Sequence, residues 1–214
     1  TGVYAVPMIR EVINTGTPYQ GKRHRERYEQ LLGRPLRVKK IVVTQSHPDH
    51  VGGWAAFDDP GVEVIAQRNL PVIRQERDQL ESFFRPRGAR ILTGLMPSPE
   101  HVRAWYAGVR ELEAPTLFAD SYAFEVGGRN FELYSTPSGE SLDCLIVWLP
   151  ADKAVFTGNL FGALYGALPH FYTPRGDRDR SVPQFMRDIE RVIALGPELL
   201  ITGHDEPIVG AARI

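Results

Sequence analysis

Short apolar runs recur along the chain, separated by turn residues, and several are followed by stretches whose apolar positions fall at helical spacing. Val3-Tyr4-Ala5-Val6 and Val12-Ile13 predict two short strands, the second left through the turn Asn14-Thr15-Gly16. Residues 23–32 predict a helix rich in Arg, Glu and Gln, closed by Gly33 and Pro35. Its His24 and Arg residues read as a solvated face. Residues 38–44 and 62–66 predict strands, the second entered through the turn Asp58-Asp59-Pro60-Gly61. Residues 70–84 carry Val72, Ile73, Leu80 and Phe84 at helical spacing, and Arg85-Pro86-Arg87-Gly88 is expected to end that helix. Residues 89–113 read as an insertion with its own helix near 100–112.

The second half is richer in strands. Residues 116–118, 122–126 and 131–134 predict three, the last two joined by Gly127-Gly128-Arg129-Asn130 as a hairpin. Leu145-Ile146-Val147-Trp148-Leu149 and Ala154-Val155-Phe156 follow, separated by the turn Pro150-Ala151-Asp152-Lys153. Residues 181–195 predict an amphipathic helix with Ser181 as N-cap, and residues 198–202 a closing strand. Two halves, each of strands followed by helices, place the chain in the α/β class. They predict a sandwich of sheets with helices on its outer faces.

Composition narrows the functional classes. With 214 residues, 43% of them hydrophobic, the chain can bury one sizeable core and is expected to form a single domain, 1–214. A formal net charge of -1 argues against nucleic acid as a partner. The lone Cys144 excludes an intrachain disulfide and cysteine zinc ribbons, so metal ligands would come from His, Asp, Glu and amides. No apolar run reaches membrane-spanning length and no secretory leader pattern opens the chain. The compartment stays open between cytoplasm and periplasm. The start at Thr1 and the abrupt end after Pro207-Ile208-Val209-Gly210 lead us to expect a longer natural chain.

Candidate chemistry gathers after the apolar strands. Ile41-Val42-Val43 runs into Thr44-Gln45-Ser46-His47-Pro48-Asp49-His50-Val51-Gly52-Gly53, with two imidazoles and a carboxylate inside four residues. A metal site is one reading; a polar turn whose Asp49 caps the next helix is the other. Two more loops leave strands with polar residues of catalytic type, residues 135–143 and Gly203-His204-Asp205-Glu206. Convergence of all three at one edge raises the metal reading.

The segment Thr44 to Gly53 resembles the Thr-His-x-His-x-Asp-His-x-Gly-Gly motif of the metallo-β-lactamase fold superfamily, with Gln45 in place of the first histidine. Ile13-Asn14-Thr15-Gly16 resembles that family's early Asp-Thr-Gly turn, Phe156-Thr157-Gly158-Asn159 its Gly-Asp segment and Thr202-Gly203-His204 its last ligand. The resemblance implies a four-layer αββα sandwich. The details are most similar to the alkylsulfatase branch: Thr136-Pro137-Ser138-Gly139-Glu140 resembles the loop that carries a Glu ligand there. Tyr172-Thr173-Pro174-Arg175-Gly176 resembles the segment that helps hold sulfate. By this resemblance one metal would be held by Gln45, His47 and Glu140 and another by Asp49, His50 and His204, with no bridging carboxylate at Gly158 or Asn159. A neutral amide is a poorer zinc ligand than imidazole, so the second site is expected to fill first.

The implied cofactor is Zn2+, one or two ions, or another divalent metal such as Fe or Mn, and the implied reaction is hydrolysis by a metal-activated water. Asp49 and Glu140 are the candidate catalytic carboxylates. Arg175 is the candidate anion clamp, and Asn159 and His170 are candidate substrate contacts; for each, a structural role is the competing reading. The apolar run from Leu160 to Tyr172 reads as a substrate pocket or as a packed contact. The expected partner is a small molecule, a sulfate ester or another anionic ester with an apolar part. The related sulfatases pair through a region beyond these residues, so a homodimer is also expected. Two other functions fit the same residues, a lactonase or thioesterase of this fold and a catalytically degenerate binding protein.

Overall fold

The computed structural model describes residues 4–6, 11–92, 100, 107–108, 110–113, 115–162 and 178–214. The strands form two sheets. The first is β1 (Tyr4–Val6), β2 (Glu11–Ile13), β3 (Lys40–Val43), β4 (Glu63–Gln67) and β5 (Thr116–Phe118), in that spatial order. The second contains β6 (Ser121–Val126), β7 (Arg129–Ser135), β8 (Leu145–Leu149), β9 (Ala154–Gly158), β10 (Leu199–Thr202) and β11 (Ile208–Val209) in reverse order from β11 to β6. Strands β2 to β5 are parallel and β6 to β9 antiparallel, while β9 and β10 are parallel again.

Alternation along the strands creates three apolar layers. On the first sheet Val12, Ile41, Val43, Val64 and Ala66 face outward, where Tyr28 and Leu32 of α1 (Pro18–Leu32) pack on them. Their neighbours Ile13, Val42 and Ile65 face inward and meet Phe131, Leu133, Leu145, Val147, Phe156 and Ile201 of the second sheet. Ile146, Trp148, Val155 and Leu200 face the far side, against Phe185 and Val192. Because β8 is covered on both faces, all five of its residues are apolar and buried, as a central strand requires. Each fully buried aliphatic side chain contributes about 1.5–3 kcal/mol. The helices outside two facing sheets make the four layers of an αββα sandwich.

Several local signals act as read, and two do not. The Gly127–Gly128 turn has φ of 60° and 77°, the left-handed pair that a two-residue hairpin demands. The helix after residue 181 spans Val182–Leu195, with Ser181 as N-cap. Helix α1, by contrast, starts five residues before its predicted start at Arg23. Thr17 and Gln20 form a capping box that fixes the start, and Pro18 opens the helix. The predicted helix over 70–84 is two: α3 (Leu70–Gln79) ends at Leu80, and α4 (Glu81–Leu92) runs through Pro86. Pro86 costs α4 one internal hydrogen bond without ending it. The helix predicted within 89–113 lies largely outside the described residues.

Strands β2, β3, β9 and β10, and β7 as it leaves the hairpin, all deliver their C-terminal ends to the same edge. There Leu145 N–H donates to the Thr44 carbonyl at 3.0 Å and ties the two sheets together. Gly53 lets α1 approach that edge: a Cβ on it would lie 2.7 Å from the Thr17 carbonyl and closer still to that of Thr15. Among the described residues no helix is long and apolar enough to cross a membrane.

Candidate metal centre

The edge collects polar residues that are buried because their partners are other polar residues. Past β3, Thr44, Gln45 and Ser46 are buried, and the short helix α2 (Pro48–Val51) presents Asp49 and the fully buried His50. The loop after β7 brings Glu140, β9 ends before Asn159, and β10 leads to His204. Seven of the candidate residues, Gln45, His47, Asp49, His50, Glu140, Asn159 and His204, therefore meet in one place. His170 and Arg175 lie outside the described residues.

Two subsites can be told apart. In the first, Gln45 Nε2 stands 2.8 Å from His47 Nδ1 and 2.9 Å from Glu140 Oε2, and Asn159 Nδ2 donates to the same Glu140 oxygen at 2.6 Å. The Cys144 thiol donates to Gln45 Oε1 at 3.1 Å, which fixes the amide orientation. An amide nitrogen only donates, so His47 Nδ1 accepts from Gln45; its 3.3 Å approach to Glu140 becomes an ion pair when the ring is protonated. Burial alone would raise the Glu140 pKa. The His47 ring in its protonated state and the hydrogen bonds from Asn159 and Gln45 outweigh it and hold the carboxyl well below its ordinary value. Burial pushes the Cys144 thiol well up, so it stays a protonated donor.

In the second subsite the ligand atoms of Asp49, His50 and His204 lie within 4.8 Å of one another. His50 Nε2 and His204 Nε2 are 3.7 and 3.6 Å from Asp49 Oδ2, too far for direct hydrogen bonds. Donors bound to one tetrahedral cation at about 2.0–2.1 Å would sit about 3.3 Å apart, so the two Asp49 contacts need to close by only a few tenths of an ångström. Among the described residues His50 Nε2 is buried with no hydrogen-bond partner, as is Asn159 Oδ1. An orphaned imidazole nitrogen aimed at a carboxylate and a second imidazole fits a divalent metal. Burial drives the His50 pKa down to about 4 and lowers that of His204 as well, which keeps both rings neutral and able to ligate.

Other residues hold these groups in place. Asn14 Oδ1 accepts from Thr44 N–H at 3.0 Å and Thr44 Oγ1 at 2.9 Å, so its nitrogen faces His50 Nδ1 at 3.0 Å. When His50 ligates through Nε2 its ring proton sits on Nδ1, where Thr44 Oγ1, 3.3 Å away, is the acceptor. The Thr15 N–H donates to the His50 carbonyl at 2.7 Å. Asp143 accepts from Ser46 N–H at 2.7 Å and from the Ser141 hydroxyl, joining the loop of Glu140 to that of His47. Ser138 donates to Asp188, buried on helix α5 (Val182–Leu195). Arg77 of α3 donates to the Ser46 carbonyl at 3.1 Å, and Arg180 to the Glu140 carbonyl at 3.0 Å. Arg77 and Arg180 carry no motif in the sequence; Cys144 enters there only as excluding a disulfide and cysteine metal sites, and Asp143 only as the end of the polar loop 135–143.

The sequence profile of the Metallo-beta-lactamase superfamily matches residues 12–204, and the chain belongs to that superfamily. Among its relatives is the linear primary-alkylsulfatase of Pseudomonas sp. (strain ATCC 19151), 23% identical over 219 residues, covering 95% of this chain and 40% of that protein. The stereoselective inverting sec-alkylsulfatase Pisa1 from Pseudomonas sp. has a similar structure, with a TM-score of 0.76 at 20% identity over 99% of this chain and 36% of that one. A metallo-beta-lactamase from Pontibacter korlensis follows at a TM-score of 0.64 and 18% identity, over 99% of this chain and 81% of that one. The chain thus spans less than half the length of the alkylsulfatases it resembles.

Proposed function

We propose that this chain is the metal-binding, hydrolytic part of an enzyme acting on sulfate esters or another anionic ester with an apolar part. The observation that carries this reading is the grouping of Asp49, His50 and His204 around an unpartnered, buried imidazole nitrogen. A divalent cation held there, Zn2+ or an ion such as Fe or Mn, would lower the pKa of its bound water to about 7 and stabilise negative charge on the substrate. Asp49 would help hold that cation through one carboxylate oxygen, and its other oxygen would be placed to accept a proton from an attacking water. Thr44 Oγ1 orients His50 by accepting from its Nδ1–H, and Asn14 holds Thr44 in turn. Arg77 and Arg180, on the backbones of Ser46 and Glu140, bring positive charge to the loops that an anionic substrate approaches. Arg175 is the proposed anion clamp and His170 a proposed substrate contact. The low pKa of Glu140 makes it a poor base and suits it to anchoring Gln45 and Asn159 instead.

Similarity to two alkylsulfatases over nearly all of this chain supports the substrate class. The test is metal quantification on protein purified without added metal, then a panel of alkyl sulfates, lactones and thioesters on the same sample. Turnover of alkyl sulfates, lost together with bound metal in His50→Ala and His204→Ala, is the expected result. Turnover confined to lactones or thioesters would reassign the substrate. Unchanged metal content and activity in both variants would make the chain a binding protein.

A further inference from the structure

We propose that the first metal position of this chain is permanently closed, with the Gln45 side-chain amide nitrogen standing where a cation would bind. The inference rests on the metal-dependent reading above for what the neighbouring Asp49, His50 and His204 hold.

A cation ligated by residues 45, 47 and 140 would need three electron-pair donors pointing at one spot. Gln45 offers none: its oxygen is turned away to the Cys144 thiol at 3.1 Å, and the nitrogen that faces the spot carries two hydrogens and no available lone pair. That nitrogen lies 2.8 Å from His47 Nδ1 and 2.9 Å from Glu140 Oε2, so the two hydrogens engage the very atoms a metal would use. Asn159 adds its own amide nitrogen to the same carboxylate oxygen at 2.6 Å.

The two amides occupy the two places where the chain departs from the superfamily pattern, a histidine replaced by Gln45 and an expected bridging carboxylate replaced by Asn159. Had the site merely decayed, Glu140 would be a buried carboxylate without compensation. Instead each loss of a metal-binding group supplies a hydrogen-bond donor to the one remaining anion. The Cys144 sulfur, 3.1 Å from Gln45 Oε1, fixes which end of the Gln45 amide faces inward. The arrangement is internally complete, with the Asn159 amide nitrogen on Glu140 at 2.6 Å and 3.3 Å from His204 Nε2 of the second position.

The test uses chelator-stripped full chain titrated with Zn2+, read by native mass spectrometry for ions per chain and by 1H–15N spectra. The Gln45 and His47 side-chain signals are assigned through Gln45→Glu and His47→Gln. No more than one Zn2+ per chain is expected, with the Gln45 amide pair and the His47 ring unmoved through a second equivalent. A second bound ion, or a His47 ring shifted by Zn2+, overturns the proposal. Binding of no ion at all leaves the first position closed, as proposed, and removes the metal-dependent reading of the second, so the two claims fail separately. Gln45→Glu, close in size, is expected to take up one further Zn2+ at least tenfold more tightly than the parent. No gain in that variant would show that the amide is not what excludes the ion and would also overturn the proposal.

Discussion

Replacing Glu11 by Gln should stabilise the protein, and more so as the pH rises. Glu11 is 1% exposed, and among the described residues neither carboxylate oxygen has a hydrogen-bond partner. Across the sheet it is in register with Lys40, and Lys40 with Glu63. The Lys40 ammonium pairs with Glu63 and lies 4.8 Å from the centre of the Phe124 ring. Burial therefore wins over the attraction of Lys40 and raises the Glu11 pKa from 4.5 to about 8. Below pH 4.5 folded and unfolded chains both carry the proton, and Glu11 costs no more than Gln. Above it the unfolded chain ionises while the folded chain does not. Stability then falls by about 1.4 kcal/mol per pH unit until the folded carboxyl itself ionises near pH 8. The accumulated cost is about 3 kcal/mol at pH 7 and about 5 kcal/mol above pH 8. Glu11→Gln keeps the shape and the polar atoms and removes the titration. Urea unfolding of both proteins at pH 4, 7 and 8.5, without metal and at equal ionic strength, measures the difference, and the contribution of His50 cancels between them. A stability difference that does not grow with pH, or a wild type more stable at pH 8.5, would refute the argument.

Three further outcomes probe the site. Gly203→Ala would drive a methyl group into Asn159 Oδ1 and to 3.2 Å from His50 Cε1; displacing Asn159 from Glu140 should cost about 2 kcal/mol in chemical unfolding. Asn14→Asp would give His50 Nδ1–H a carboxylate acceptor while still accepting from Thr44 N–H. Metal affinity should rise about 10-fold or more in a chelator competition, and unchanged or weaker binding would remove Asn14 from the account. In stripped protein the depressed pKa of His50 contributes stability that is present above pH 6.5 and lost as the pH falls through about 4. His50→Gln should flatten that acid limb of the unfolding profile.

The fold was legible in the sequence because burial writes itself into composition. Residues 145–149 are apolar throughout because β8 is covered on both faces, and Gly127-Gly128 names its own turn. The start of α1 was also written, in Thr17-Pro18 and Gln20, but a capping box shows only to a reader who places the helix there. The break at Leu80 has no such mark. At the site, the order and spacing of His47, Asp49, His50, Glu140 and His204 pointed to one edge. What could not be read is which end of an amide points inward. For Gln45 that is decided by Cys144 and Glu140, 99 and 95 residues away, and for Asn14 by the backbone of Thr44.

The hydrogen bond from Leu145 to the Thr44 carbonyl has a mechanical meaning. It fastens the last residue before Gln45 to the first residue of β8, directly after Cys144, so the loops that supply His47 and Glu140 share one rivet between sheets that, among the described residues, otherwise meet through side chains. Sliding one sheet over the other would have to break that rivet before the rest of the interface could shear. The Leu145 amide should therefore exchange its hydrogen with solvent only when the whole sandwich opens.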